Sequence, residues 1–172
     1  GDAGEVVSLS GIDNVDAENN LWAIRQSSTP GIFSLDYKTP DGSWITPTQP
    51  SVSLTNDIWS FKAYGNGKAI LIDGNSNVWQ FNANAWINLG VWREGGFSYG
   101  VDIDANGNIW VTGIGGAAKR DAVSGQWQRH RITNSSQIDY WVNDISIDDQ
   151  GKSGNLARGD DGSSCTASSI SL

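Results

Sequence analysis

Apolar and polar positions alternate in short runs along this chain, and each run ends in a cluster of Asn, Asp, Ser or Gly. The stretches "NVDAENNLWAI" (14–24), "FKAYGNGKAILI" (61–72), "DIDANGNIWVT" (102–112) and "SIDDQGKSGNLA" (146–157) all have this form. Period-two alternation on both sides of a turn cluster predicts a β-hairpin. After each of the first three hairpins comes another alternating run, a second turn and a Trp: "IFSLDYKTPDGSW", "VWQFNANAW" and "AAKRDAVSGQW". Trp44, Trp86 and Trp127 are therefore almost evenly spaced, and each opens a fourth strand. The fourth unit begins in the same way and then runs into "GDDGSSCTASSISL" without a Trp.

A period of roughly 40 residues carrying four strands is the sequence signature of β-propeller blades. The predicted fold is all-β: a β-propeller of about four four-stranded blades, or five if residues 44–72 hold a degenerate unit around "NDIWSF". The units run roughly 12–49, 50–90, 91–131 and 132–172 within one domain spanning 1–172. The strand-like "EVVSLS" (5–10) is a candidate closing strand for the last blade, and a second chain is the other way to complete it. Letter by letter, "IDGNSNVW" (72–79) matches "IDANGNIW" (103–110) better than "YGNGKAIL" does. The evenly spaced Trp residues nevertheless set the preferred frame.

The turn at 102–107 has a competing reading as a metal site. Asp102, Asp104, Asn106 and Gly107 fall at the first, third, fifth and sixth positions of a calcium loop. The twelfth position, where such a loop needs a bidentate acid, is Gly113, and the flanks alternate as strands rather than helices. A two-residue hairpin turn, which requires positive φ, explains Asn106-Gly107 more simply. Calcium held by Asp102, Asp104 and Asn106 stays as the alternative, and no other cofactor is expected.

Composition fits the strand-and-turn reading. The 172 residues include 21 Gly, 4 Pro and 9 Trp, enough for one domain with a core built on indoles. No long stretch has apolar residues at helical spacing. A net charge of −8 disfavours nucleic acid and anionic membranes as partners. No apolar run is long enough for membrane insertion as a helix. Cys165 is the sole cysteine, which excludes an intrachain disulfide framework or a cysteine-based metal cluster. His130 is the sole histidine and carries no nucleophile signature with it, so catalysis by a His-based constellation is only a third reading.

Binding chemistry is better represented. An aromatic recurs ahead of the first strand-turn of successive units: Trp59 eight residues before Gly67, Tyr99 eight before Gly107, and Trp141 ten before Gly151. Asp57, Asp139 and Asn143 accompany them. An indole or phenol face beside carboxylates and amides suits a sugar ring, whose C–H face stacks while its hydroxyls hydrogen-bond. Packing between blades asks for an aromatic at the same place. Trp44, Trp86 and Trp127 are assigned to the scaffold, Trp22 and Trp110 to the core, and Trp92 either to an exposed contact or to a local gap.

These units resemble tectonin-type repeats, in which a "GNxW" hairpin precedes a Trp-led outer strand. The residues that carry the resemblance are "IDANGNIWVT" with "SGQW", "LIDGNSNVW" with "NANAW", and "VDAENNLWAI" with "DGSW", over residues 12 to about 157. Other propeller families, bacterial sensor propellers and certain lyases among them, have similar hairpins. The tectonin resemblance implies a lectin of innate defence, with glycan sites repeated around the propeller and avidity gained by multivalency. The expected function is thus non-enzymatic carbohydrate binding through Trp59, Tyr99, Trp141, Asp57, Asp139 and Asn143. Glycans or glycoproteins would be the partners, and homo-oligomerisation is allowed. A protein–protein interaction propeller is the alternative, and a propeller hydrolase or lyase the second alternative.

Overall fold

The computed structural model describes residues 5–6, 15–26, 32–46, 52–53, 58–65, 67–82, 85–93, 97–114, 116–130, 141–147 and 153–158. Within them the regular elements are all strands. In chain order these are β1 (Glu5–Val6), β2 (Leu21–Gln26), β3 (Ile32–Lys38), β4 (Trp44–Ile45), β5 (Val52–Ser53), β6 (Ile58–Gly65), β7 (Lys68–Asp73) and β8 (Asn77–Asn82). There follow β9 (Ala85–Val91), β10 (Ser98–Ile103), β11 (Ile109–Gly113), β12 (Gly116–Arg120), β13 (Trp127–His130), β14 (Trp141–Ile147) and β15 (Ser153–Arg158). They form four antiparallel sheets: β1-β2-β3-β4 with β5 on β3, then β6-β7-β8-β9, β10-β11-β12-β13 and β14-β15. Apart from β5, neighbours in sequence within a sheet are neighbours in that sheet, the meander expected of propeller blades.

The chain divides into two compact units, Gly1–Val91 and Trp92–Leu172, with two sheets in each. Trp44 and Trp127 open β4 and β13, and Trp86 is the second residue of β9, so the evenly spaced indoles mark the fourth strand of the first three sheets. The segment "NDIWSF" contributes to β6 of the second sheet. Of the candidate closing strand 5–10, the described residues Glu5–Val6 do not serve the last sheet. β1 pairs with β2, Glu5 opposite Gln26 and Val6 opposite Arg25. Among the described residues the hairpin arm before β2 adds one isolated bridge, Val15 to Leu21.

In the first unit, Trp22, Ile24, Ile58, Phe61, Ala63, Ala69, Leu71 and Phe81 form a buried cluster between the two sheets. Trp22, 2 % exposed, has ring centroids of Tyr37, Phe81 and Phe61 at 4.9, 6.4 and 6.5 Å. Trp86 packs on Phe81 from the last strand at 5.2 Å. Trp44 differs from the scaffold role expected of it, because 51 % of it stays exposed. β4 is only two residues long and does not carry its indole into the cluster.

In the second unit, β14 packs on β10, β11 and β12. The amide of Ile147 donates to Asp102 Oδ2 at 2.9 Å and ties the two sheets together. Trp92 is buried, and its Nε1 donates to Ser98 Oγ at 2.6 Å, so it fills a gap rather than offering a contact surface. It also lies 2.9 Å from where a Cβ on Gly113 would sit, and such a Cβ would collide with the Phe97 carbonyl oxygen. Gly113 is therefore set by close approach, which accounts for a glycine at that place without reference to a metal loop.

Candidate functional site

One side-chain device recurs three times. Asp16, Asp73 and Asp104 each stand at the start of a hairpin turn, with Asn four and Trp six positions later. Asp104 Oδ1 accepts the amides of Asn106 and Asn108 at 3.0 and 2.9 Å; its Oδ2 accepts Asn108 Nδ2 at 2.8 Å and Trp110 Nε1 at 3.2 Å. Asp16 takes the same four bonds from Glu18, Asn20 and Trp22 at 2.8–3.0 Å. Asp73 takes them from Asn75, Asn77 and Trp79. Carboxylates that accept several N–H bonds hold a turn firmly because charged acceptors bond more strongly than neutral ones.

Burial alone would raise the Asp16 and Asp104 carboxyls. The amide and indole donors outweigh it and hold both below the ordinary carboxylate value. The turn itself is longer than the two-residue form expected from Asn106-Gly107. Only the third residue after each Asp has positive φ: Asn19 at 62°, Ser76 at 64° and Gly107 at 81°. The amides of Asn19, Ser76 and Gly107 donate to the carbonyls of Asp16, Asp73 and Asp104. That is the three-residue hairpin loop, a turn followed by a left-handed residue.

The carboxylates offered for calcium are thus engaged by protein donors. Asp104 is clasped by its turn, Asp102 accepts from Ile147, and Asn106 is exposed at the turn tip. Among the described residues no group of three His, Cys, Asp or Glu is placed to hold a metal ion.

The recurrent aromatics have a different setting. Trp59 is the extra residue of a β-bulge in β6, where Ile58 faces Asp73 and Ser60 faces Ile72. Tyr99 is the extra residue of a bulge in β10, where Ser98 faces Gly113 and Gly100 faces Thr112. Asn143 is the extra residue in β14, where Val142 faces Ala157 and Asp144 faces Leu156. Three of the six expected binding residues thus occupy matching irregularities in the first strand of three sheets. A bulge turns a side chain out of the ladder's alternation, and bulges concentrate beside functional sites.

Trp59 and Tyr99 are half-buried, and burial raises the Tyr99 phenol above its ordinary value. Trp141 begins β14, and for it and Asn143 the backbone position is what the structure describes. Asp57 and Asp139 lie outside the described residues. No sequence signal marks a bulge, because the extra residue is defined by its partner strand.

His130, the base of the enzyme reading, lies in β13, the far strand of the β10–β13 sheet. Its ring stacks on the buried Trp110 at 5.7 Å with 25° between planes, and its Nε2 has no hydrogen-bond partner among the described residues. Lys119 Nζ sits 5.3 Å from the same indole.

Meandering antiparallel sheets and a matched irregularity in the first strand of three of them define the fold as a β-propeller, built here of partial and complete blades. No family model matches the chain, and no curated protein is significantly similar to it. Among solved structures it resembles YCF48 from Cyanidioschyzon merolae, with a TM-score of 0.63 and 17 % identity over 90 % of this chain and 48 % of that one. YCF48 bound to D1 peptide aligns with a TM-score of 0.53 and 17 % identity, over 81 % of this chain and 43 % of that one. An inactive variant of virginiamycin B lyase from Staphylococcus aureus, solved with quinupristin, aligns with a TM-score of 0.61 and 10 % identity over 98 % of this chain and 59 % of that one. The chain therefore spans about half the length of these propellers. At such identities the likeness shows the fold alone.

Proposed function

We propose that the chain is a non-catalytic propeller module that binds a segment of another protein at the bulged starts of its first strands. The observation that carries this reading is the pair of bulges at Tyr99 and Asn143 in the first strands of the second unit's two sheets, with Trp59 at a bulge of the first unit as a separate instance. An aromatic turned out of a ladder offers a flat apolar face, and a neighbouring strand start offers amide groups. Together these suit an extended peptide. A structure of YCF48, one of the propellers it resembles, holds D1 peptide, which favours a protein ligand over the glycan expected from the tectonin resemblance. His130 stacked on a core indole suits a scaffold part better than a general base.

The glycan reading keeps one specific observation, because aromatic, aromatic and amide at equivalent positions are also what a sugar ring uses. Trp59, Tyr99, Trp141, Asp57, Asp139 and Asn143 would then serve as its contacts. Panning the full chain against a random 12-residue peptide library, with a glycan array in parallel, separates the two. The expected result is an enriched peptide consensus whose binding falls at least tenfold in Tyr99→Ala, or in Trp59→Ala for a peptide held by the first unit, with melting temperature unchanged. Array binding competed by free sugar, with no peptide enrichment, would replace the protein-segment reading by the lectin. Turnover of a lactone or lyase substrate that is abolished in His130→Ala would replace both.

A further inference from the structure

The chain is acidic overall, yet five of its eleven Lys and Arg residues are Arg93, Lys119, Arg120, Arg129 and Arg131. The structure gathers the described ones at one place in the second unit. In the β12–β13 ladder, Arg120 faces Trp127, Lys119 faces Gln128, Ala118 faces Arg129 and Ala117 faces His130. Cross-strand partners share a face, so Trp127, Arg120 and Arg129 lie on one side and Lys119, Gln128 and His130 on the other. Arg129 Nε donates to the Trp92 carbonyl at 3.3 Å, which brings Arg93, the next residue, to the same margin.

Among the described residues the buried Arg120 Nε and Arg93 Nη1 have no hydrogen-bond partner. Asp121, whose own carboxyl is held low chiefly by Ser124, is also lowered by the charge of Lys119. Arg120 and Arg129 on one face, diagonal to each other, repel unless an anion lies between them. Among the described residues β13 is the terminal strand of its sheet, paired on one side only, and Gln128 and Arg129 are exposed.

We propose that the β13 edge is a second docking surface, which takes an extended acidic protein segment as an added strand. Its backbone would pair with β13. Alternate carboxylates would meet Arg120 and Arg129 in fork-to-carboxylate bonds, and the intervening side chains would reach Gln128 and His130. Charge complementarity selects the occupant. Arg and Trp are enriched among the residues that carry interface binding energy, and a four-residue edge suits one short strand. The surface is three strands away from the bulged β10 in its own sheet, so it is independent of the site proposed above.

The test titrates the full chain with a fluorescein-labelled, capped peptide of four Glu-Val repeats, beside Gln-Val and Lys-Val controls. Binding of the Glu-Val peptide alone is expected, weakening as salt rises from 0.1 to 1 M. Arg129→Gln should weaken it about tenfold, the worth of one charged hydrogen bond. Arg129→Lys, which keeps the charge, should lose less, and Lys68→Gln in the first unit should lose nothing. Circular dichroism melts confirm that each variant is folded. Equal binding of the Gln-Val peptide, an unchanged affinity in folded Arg129→Gln, or an equal loss in Lys68→Gln overturns the proposal. Concentration-dependent self-association that Arg129→Gln abolishes, without peptide binding, assigns the edge to a second copy of the chain and overturns it as well.

Discussion

Replacing Asp104 by Ala removes the acceptor of four N–H donors while leaving the strands on either side unaltered. Two of those donors are turn amides, that of Asn106 at an exposed tip and that of Asn108 buried beneath it. The other two belong to buried side chains, Asn108 Nδ2 and Trp110 Nε1, and Trp110 is 0 % exposed. Water replaces part of the first pair at small cost. Each buried donor left without an acceptor costs about 1–3 kcal/mol. The expected loss is therefore about 3–4 kcal/mol, large against a total stability of about 5–15 kcal/mol. It should appear as a fall in Tm of roughly 10 °C.

Urea unfolding followed by Trp fluorescence and circular dichroism measures it. Trp110→Phe, which deletes the indole N–H, completes a double-mutant cycle with an expected coupling of about 1–2 kcal/mol. Asp16→Ala should destabilise the first unit in the same way. Asp73→Ala should cost less, because Trp79 is only half-buried and can reach water. A loss below about 1 kcal/mol for Asp104→Ala, or a coupling of zero, would show that the carboxylate does not hold the hairpin.

Two further predictions rest on geometry and charge. Gly113→Ala should cost about 2–3 kcal/mol because its Cβ meets a backbone carbonyl that cannot yield. Gly107→Ala, which has room but a φ of 81°, should cost only about 1 kcal/mol; equal losses in thermal melts would refute the distinction. Asp16 and Asp104 have folded pKa values below their unfolded ones, so their contribution is complete above the unfolded value of about 3.9 and is lost as pH falls through the lower folded values. Tm should hold level from about pH 6 to 5 and fall below about pH 4, and Asp16→Ala with Asp104→Ala should flatten that acid limb. An acid limb as steep as before would mean that other carboxyls drive it.

The strand frame is legible in the sequence because Trp44, Trp86 and Trp127 return at a fixed place in each meander, and a rigid indole at a strand start tolerates little drift. The rival letter match, "IDGNSNVW" with "IDANGNIW", is equally real. It marks the Asp clasp, which closes the hairpin between the first and second strands around Asp104 but the one between the second and third around Asp73. A seven-residue motif that satisfies itself locally belongs to a hairpin, whichever hairpin of the sheet that is. Trp92 is undecidable from sequence because its partners, Ser98 and Gly113, are fixed by a turn and a strand with no pattern in common. The candidate binding residues are visible as recurrent aromatics. Their displacement from the ladder is not, because it depends on how the opposite strand is paired.

Apart from β5 on β3, the sheets are zipped from consecutive strands, and each clasp needs only its own turn. Such local closure lets a hairpin form before distant parts of the chain meet, so folding should be fast for an all-β protein and should begin at several points independently. It also makes the blade a transferable cassette: duplication, loss or recombination of one meander disturbs little outside its immediate neighbours. An ancestral gene could lengthen or shorten this scaffold in steps of one blade, and three copies of the same seven-residue fastener, set in two different loops, are the trace such a history would leave.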